Sequence, residues 1–147
     1  LCASVCVCSR AAATRECPCP LGRHGQMCIG ARSNPIVSIG PLLAVPGIAE
    51  ALRSRRADTV AVSPIVAGAA LKGPADRLMR ELGHEASVVG VARIYRDIAA
   101  TLVVDTADAG LAGAVEAEGM ACVVTDTIMS SPEVAADLSR RILEVSR

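Results

Sequence analysis

"TLVVDTADAGLAGAVEAEGMACVVTD", residues 101–126, decides the fold. An apolar run at residues 101–104 closes on Asp105. A helical stretch at 107–118 follows and ends at Gly119, the residue type best suited to the left-handed turn that terminates a helix. A second apolar run at 120–124 then closes on Thr125 and Asp126. Neither run alternates polar with apolar positions, so neither predicts a strand with one face in water. Such strands, separated by an amphipathic helix, belong to a parallel sheet covered on both faces.

The same pattern extends outward in both directions. Upstream, residues 48–56 predict a helix after Pro46-Gly47, and residues 59–62 a strand ending at Ser63-Pro64. Residues 74–82 predict a helix with Pro74 in its first position, where a missing N–H costs nothing. Residues 86–96 predict another. Downstream, Ser131-Pro132 is a capping residue followed by proline, which opens the last helix. Along it Ala135, Leu138, Ile142 and Val145 recur at helical spacing and form one apolar face.

Composition agrees with this class. At 147 residues the chain is long enough for one domain and short for two. Hydrophobic residues make up 52%, with one tyrosine and neither tryptophan nor phenylalanine, so Ala, Val, Leu and Ile must build the core. Formal net charge is zero, which removes any global pull on nucleic acid or an anionic membrane. No apolar run approaches the roughly 18 residues a spanning helix needs. The chain therefore reads as soluble and cytoplasmic, with no nucleic-acid or membrane partner.

Residues 1–32 are of another character. Six of the seven cysteines stand at Cys2, Cys6, Cys8, Cys17, Cys19 and Cys28, with Glu16 the lone acid and no sustained periodicity. A secretory signal fits poorly, since Arg10 and Arg15 interrupt the apolar stretch and no basic region precedes it. Cys17, Cys19, His24 and Cys28 are four potential zinc ligands. The Cys17-Pro-Cys19 spacing is tighter than a zinc knuckle uses, however, and no second pair follows. A disulfide framework does not suit the cytosolic remainder. The segment reads as an unstructured or mis-specified leader, leaving 33–147 as the domain.

The polar residues of the regular part collect at strand ends. Ser63-Pro64, Asp105 and Thr125-Asp126 each follow a strand, and "SNPIVSIGPLLAVPGI", residues 33–48, would make a fourth end if a strand precedes it. Ligands of open α/β sheets bind outside the carboxyl ends of the strands. Each residue also has a purely structural reading. Asp105, with Asp108 three positions on, resembles a helix N-cap; Asp76 lies in a first helical turn, where a carboxylate favours the dipole. Ser63 before Pro64 fits a simple turn, and His84 after Gly83 a helix end.

Lys72 is the single lysine, set in "ALKGPADRLM" beside a glycine and just before a helix start. A cation there suits a phosphate, the alternative being a solvated loop charge. Ser38-Ile39-Gly40 is expected to present backbone donors to an anion. Neither a Walker loop nor G-x-G-x-x-G occurs. These residues predict a phosphate site without naming a reaction.

"SNPIVSIGPLLAVPGI", "SPIVAGAALKGPADRLMRELGHEAS", "VARIYRD" and "VVTDTIM" together resemble the carboxyl-terminal half of the 2-phospho-L-lactate transferase family of coenzyme F-420 biosynthesis. The resemblance runs from Ser33 to the end. It implies a Rossmann-like, three-layer parallel sheet with flanking helices, truncated at the amino-terminal side. It also implies transfer of a phospholactyl or phosphoenolpyruvyl group from a guanosine diphosphate conjugate to a hydroxyl of the deazaflavin Fo, with release of GMP and a need for Mg2+. Contacts with the donor are then expected from Ser33, Asn34, Pro35, Ser38, Gly40, Ser63, Lys72 and Asp76. No catalytic residue or metal ligand is assigned.

In the family, a glycine-rich strand–turn–helix and acidic residues that meet Fo and metal lie in the amino-terminal half. Nothing in residues 1–32 resembles them, so the chain is expected to be inactive alone. A homodimer is a candidate assembly. The rival reading is a non-catalytic nucleotide-binding regulatory module of a related Rossmann-like family; "KGPAD" and "TDTIM" favour the transferase.

Overall fold

The computed structural model describes residues 34–71 and 74–145. A π-helical turn, Pro35–Ile39, leads into the helices α1 (Gly40–Leu43) and α2 (Ile48–Ser54). A 3-10 turn, Arg56–Asp58, then precedes strand β1 (Val60–Val62). The hairpin strands β2 (Ile65–Val66) and β3 (Ala69–Ala70) follow, then α3 (Ala75–Glu81), α4 (Val88–Tyr95) and β4 (Thr101–Val104). A 3-10 turn, Thr106–Leu111, joins β4 to α5 (Ala112–Ala117), and β5 (Ala121–Val124) and α6 (Pro132–Val145) complete the order.

Strands β1, β4 and β5 form a parallel sheet in the order β1-β4-β5. Val60 lies opposite Thr101, and Thr101 opposite Ala121. Side chains of β1 and β4 are buried on both faces, the expected result of strands that lack polar alternation. One face carries the larger core, where Ala61, Leu102 and Val104 meet Met79 of α3, Val88, Val91 and Tyr95 of α4, and Val115 of α5. On the other face Val60, Val62 and Val103 pack against Leu138 and Ile142 of α6. This is the α/β, Rossmann-like arrangement the sequence predicts.

Several boundaries differ from expectation. The helix expected at 107–118 begins instead as a 3-10 turn and becomes α-helical only from Ala112. Asp105 caps the tighter turn through its side chain, and Gly110 and Gly113 weaken α-helical propensity across the junction. Pro74 is the N-cap of α3 rather than its first residue. The β2–β3 hairpin, not expected from the sequence, reverses at Ala67 and Gly68, both with positive φ. Its two-residue strands are too short to leave a periodic signal.

At the opposite end of the sheet, Arg56 Nε donates to the Arg96 carbonyl at 2.6 Å and Nη2 to the Gly119 carbonyl at 2.6 Å. One guanidinium thus joins the segments that lead into β4 and β5. Among the described residues no single helix is long and apolar enough to cross a membrane, although Pro35–Leu43 with Ile48–Ser54 passes that test as a pair bent by 93°.

Candidate functional site

The carboxyl ends of the three parallel strands lie side by side because the strands are in register. The Ser63 amide donates to the Val103 carbonyl at 2.9 Å, and the Thr125 amide to the Val104 carbonyl at 3.1 Å. Beyond these bonds the chain leaves the sheet in three polar turns, and Asp105 stands at the middle one.

Asp105 is buried, 5% exposed, and both of its oxygens are engaged. Oδ1 accepts from the Ala107 amide at 3.0 Å, the capping bond predicted from the sequence. Oδ2 accepts from the Thr127 amide and the Thr127 hydroxyl, each at 2.9 Å. Burial alone would raise the pKa of this carboxyl; the amides of Ala107 and Thr127 and the Thr127 hydroxyl outweigh it and hold the pKa below the ordinary carboxylate value. The loop after β5 is thereby pinned to the end of β4. Alongside, the Thr106 hydroxyl donates to Asp126 Oδ1 at 3.0 Å, leaving Asp126 as an exposed carboxylate at a strand end.

Asp108 is also buried and accepts from the Ala67 amide at 2.9 Å. That bond ties the hairpin turn to the turn after β4 and secures Ala67 in a left-handed conformation, φ 50°, that alanine rarely adopts. The sequence located Asp105 and Asp126 at strand ends and read Asp108 as part of a helix cap. The bonds from Asp105 to Thr127 and from Asp108 to Ala67 span 22 and 41 residues, separations that no local pattern reveals.

The predicted donor-binding residues fall in three places. Asn34, Pro35, Ser38 and Gly40 share the π-helical turn, whose Ile39 enters the same core as Ala61, Ile65 and Ala75. Asn34 is buried, and its Oδ1 accepts from the amides of Ile36 at 2.9 Å and Val37 at 3.2 Å. The expectation of free donors at Ser38-Ile39-Gly40 is corrected. The amides of Ser38 and Ile39 bond the Asn34 carbonyl, each at 3.1 Å, and the Gly40 amide bonds the Pro35 carbonyl. A turn that runs directly into α1 consumes these donors internally. The Ser38 hydroxyl is buried with no hydrogen-bond partner among the described residues.

Ser63 lies at the end of β1, where its hydroxyl bonds both the carbonyl and the amide of Ile65, closing the simple turn weighed as its structural reading. Asp76 is in the first turn of α3, which packs on the π-helical turn, and its carboxylate pairs with Arg80 at 2.8 Å. Ser33 and Lys72 lie outside the described residues, as do the four potential zinc ligands of the leader. Among the described residues no group of three or more His, Cys, Asp or Glu is placed to hold a metal ion.

A groove of about 400 Å³ runs between Thr125-Asp126 and α6, with Leu138, Arg140 and Arg141 among its lining residues. It touches the strand-end cluster at Asp126 and is separate from the π-helical turn.

The sequence model of the family described as 2-phospho-L-lactate transferase CofD matches residues 23–142. The match begins ahead of Ser33, within the stretch that composition marks as a leader. The phosphoenolpyruvate transferase of Kitasatospora aureofaciens is 43% identical over 115 residues, covering 78% of this chain and 36% of its own length. The 2-phospho-L-lactate transferase of Methanocaldococcus jannaschii is 38% identical over 122 residues, covering 83% of this chain and 38% of its own length. That of Halobacterium salinarum reaches 51% identity over 86 residues. The chain thus spans little more than a third of the length of the first two relatives.

Proposed function

The chain belongs to the 2-phospho-L-lactate transferase family, and from that premise we propose that it forms the donor-gripping part of such an enzyme. The reaction is transfer of a phospholactyl or phosphoenolpyruvyl group from a guanosine diphosphate conjugate to the hydroxyl of Fo, with GMP leaving, in coenzyme F-420 biosynthesis. The observation that carries the reading is the convergence of Ser63, Asp105 and Thr125-Asp126 at the carboxyl ends of the parallel strands, where α/β proteins bind their ligands.

Group transfer of this kind demands a diphosphate held in line and its developing charge neutralised. Lys72 supplies a cation ahead of α3. The Ser38 hydroxyl supplies a donor that the fold leaves unused. Asn34 and Pro35 shape the turn that carries it, Gly40 joins that turn to α1, Asp76 lies in α3, which packs on the turn, and Ser63 stands at the end of β1. Magnesium, which the family resemblance implies, needs only one or two carboxylates besides phosphate oxygens. Asp126 is an exposed carboxylate of that kind at the strand ends, so the described residues fit such a shared site and not a cage built from protein alone. When bound, magnesium would neutralise charge on the diphosphate.

The grip on Fo is assigned to the part of the family's domain that this chain does not span, so little turnover is expected from the chain alone. Calorimetric titration of the full chain with magnesium GDP, and separately with Fo, tests this division. Saturable binding of GDP without binding of Fo is the expected result. Lys72→Ala should weaken GDP binding by about one to two orders of magnitude, the worth of a charge-assisted contact of roughly 1.5–3 kcal/mol. Equal GDP affinity in both proteins would make Lys72 a solvated loop charge, and absence of GDP binding would refute the donor role.

A further inference from the structure

The turn after the central strand β4 reaches in two directions. Asp105, its cap, holds the Thr127 amide in the loop after β5, and Asp108 accepts from the Ala67 amide in the hairpin that follows β1. Asp108 is itself fixed, 6% exposed and with its own amide bonded to the Asp105 carbonyl at 2.9 Å. Carboxylates of one turn thus set the loops after both neighbouring strands.

The Ala67 end of this bond is the unusual one. Val66 pairs with Ala69, so Ala67 and Gly68 are the two central residues of the hairpin turn, and both have positive φ, 50° and 77°. A two-residue turn of that kind favours Asn, Asp or Gly at its first position. Alanine has neither glycine's freedom nor a side chain that bonds its own backbone, so the conformation of Ala67 needs support from elsewhere. Asp108 gives that support at 2.9 Å. The hairpin in turn bears on the π-helical turn. Strand β3 packs on α3, α3 packs on the π-helical turn, and Ile65, Ala75, Met79 and Ile39 from these three elements share one core.

We propose that Asp108 is a positioning residue: by holding Ala67 in its left-handed conformation it sets the hairpin and, through α3, the π-helical turn that carries Ser38. Its effect on donor binding rests on the donor-gripping role proposed above, whereas the mechanical coupling stands apart from it. The working part is the accepted hydrogen bond and not the charge.

The test combines amide exchange of the full chain with calorimetric titration by magnesium GDP, in the parent, Asp108→Ala, Asp108→Asn, and Asp108→Ala combined with Ala67→Gly. Asp108→Ala should speed exchange at Ala67, Ser38 and Ile39 by about tenfold and weaken GDP binding by a similar factor, the worth of one hydrogen bond. Asp108→Asn, whose side-chain carbonyl accepts the same bond, should stay within about threefold of the parent in both measurements. Ala67→Gly should restore the slow exchange of Ser38 and Ile39 and the GDP affinity to Asp108→Ala, because glycine adopts the turn unaided. If Asp108→Ala does not fold, Ala67→Val takes its place. Ala67 is exposed, and a β-branched side chain opposes the same positive φ with the carboxylate intact, so faster exchange at Ser38 and Ile39 is expected there too. Parent-like exchange at Ser38 and Ile39 overturns the proposal even if the melting midpoint falls, since Asp108 would then be a local brace. So does equal GDP affinity in the parent and Asp108→Ala, an Asn variant as impaired as the Ala variant, or failure of glycine to rescue. Faster exchange at the π-helical turn in a chain that binds no GDP would support the coupling and refute the donor role instead.

Discussion

Gly90 shows how narrow the tolerances of this core are. A Cβ built on it would lie 1.9 Å from the Glu85 carbonyl oxygen and 3.2 Å from the Met79 methyl. The first neighbour is backbone and cannot swing aside, so α4 approaches the preceding loop as closely as it does only because no side chain intervenes. The Gly90 amide is also the one that the Ser87 hydroxyl caps, at 3.1 Å. Gly90→Ala should therefore destabilise the protein by about 1–3 kcal/mol despite alanine's better helix propensity, as overpacking does. Urea unfolding of the two proteins decides it, and a more stable variant would contradict the close approach. Asp105 carries a prediction of a different kind. Its folded pKa lies below the unfolded value of about 3.9, so the stabilisation is fully present above that value and is lost as pH falls through the folded pKa. Asp105→Asn sets an amide against the Thr127 donors and should cost about 2 kcal/mol at pH 7. The difference between the variant and the parent should shrink below pH 4. A gap independent of pH would mean that the carboxylate's charge contributes nothing.

Among the elements, α6 has the simplest task and the clearest sequence signal. Its apolar stripe is its packing face, and within the second core Leu138 and Ile142 are buried against Val60, Val62 and Val103. Leu138→Ala removes a buried side chain from a face that, among the described elements, α6 covers alone. A loss of about 2–5 kcal/mol is expected, read from denaturant midpoints. A value below about 1 kcal/mol would show α6 to be peripheral. The legibility of each element follows from the range of the forces that set it. Residues 101–104 are a strand as expected, because an unbroken run rich in β-branched residues needs no distant partner to declare itself. The 3-10 start of the segment after β4 and the β2–β3 hairpin were not legible. The first depends on how Asp105 divides its oxygens between a local amide and a distant loop, and the second on Asp108 holding Ala67 across the fold. For the candidate site, the sequence located the strand ends correctly. It misjudged the amides of Ser38 and Gly40, whose engagement depends on a π-helical turn that no periodicity announces.

At the scale of the whole molecule, the sheet, the strand-end cluster and the family match point to one part of a transferase. The strand ends gather Ser63, Asp105 and Asp126. Such a chain should bind the phosphate-bearing donor and depend on the rest of the domain for the acceptor. The most direct test is a chimera in which residues 33–145 of this chain replace the matched region of the Kitasatospora aureofaciens phosphoenolpyruvate transferase, supplied with the proposed guanosine diphosphate donor, magnesium and Fo. Release of GMP matched by formation of the coupled deazaflavin product is the predicted result, with Lys72→Ala in the same chimera slower by about one to two orders of magnitude. A folded, monodisperse chimera that binds Fo yet releases no GMP would contradict the account.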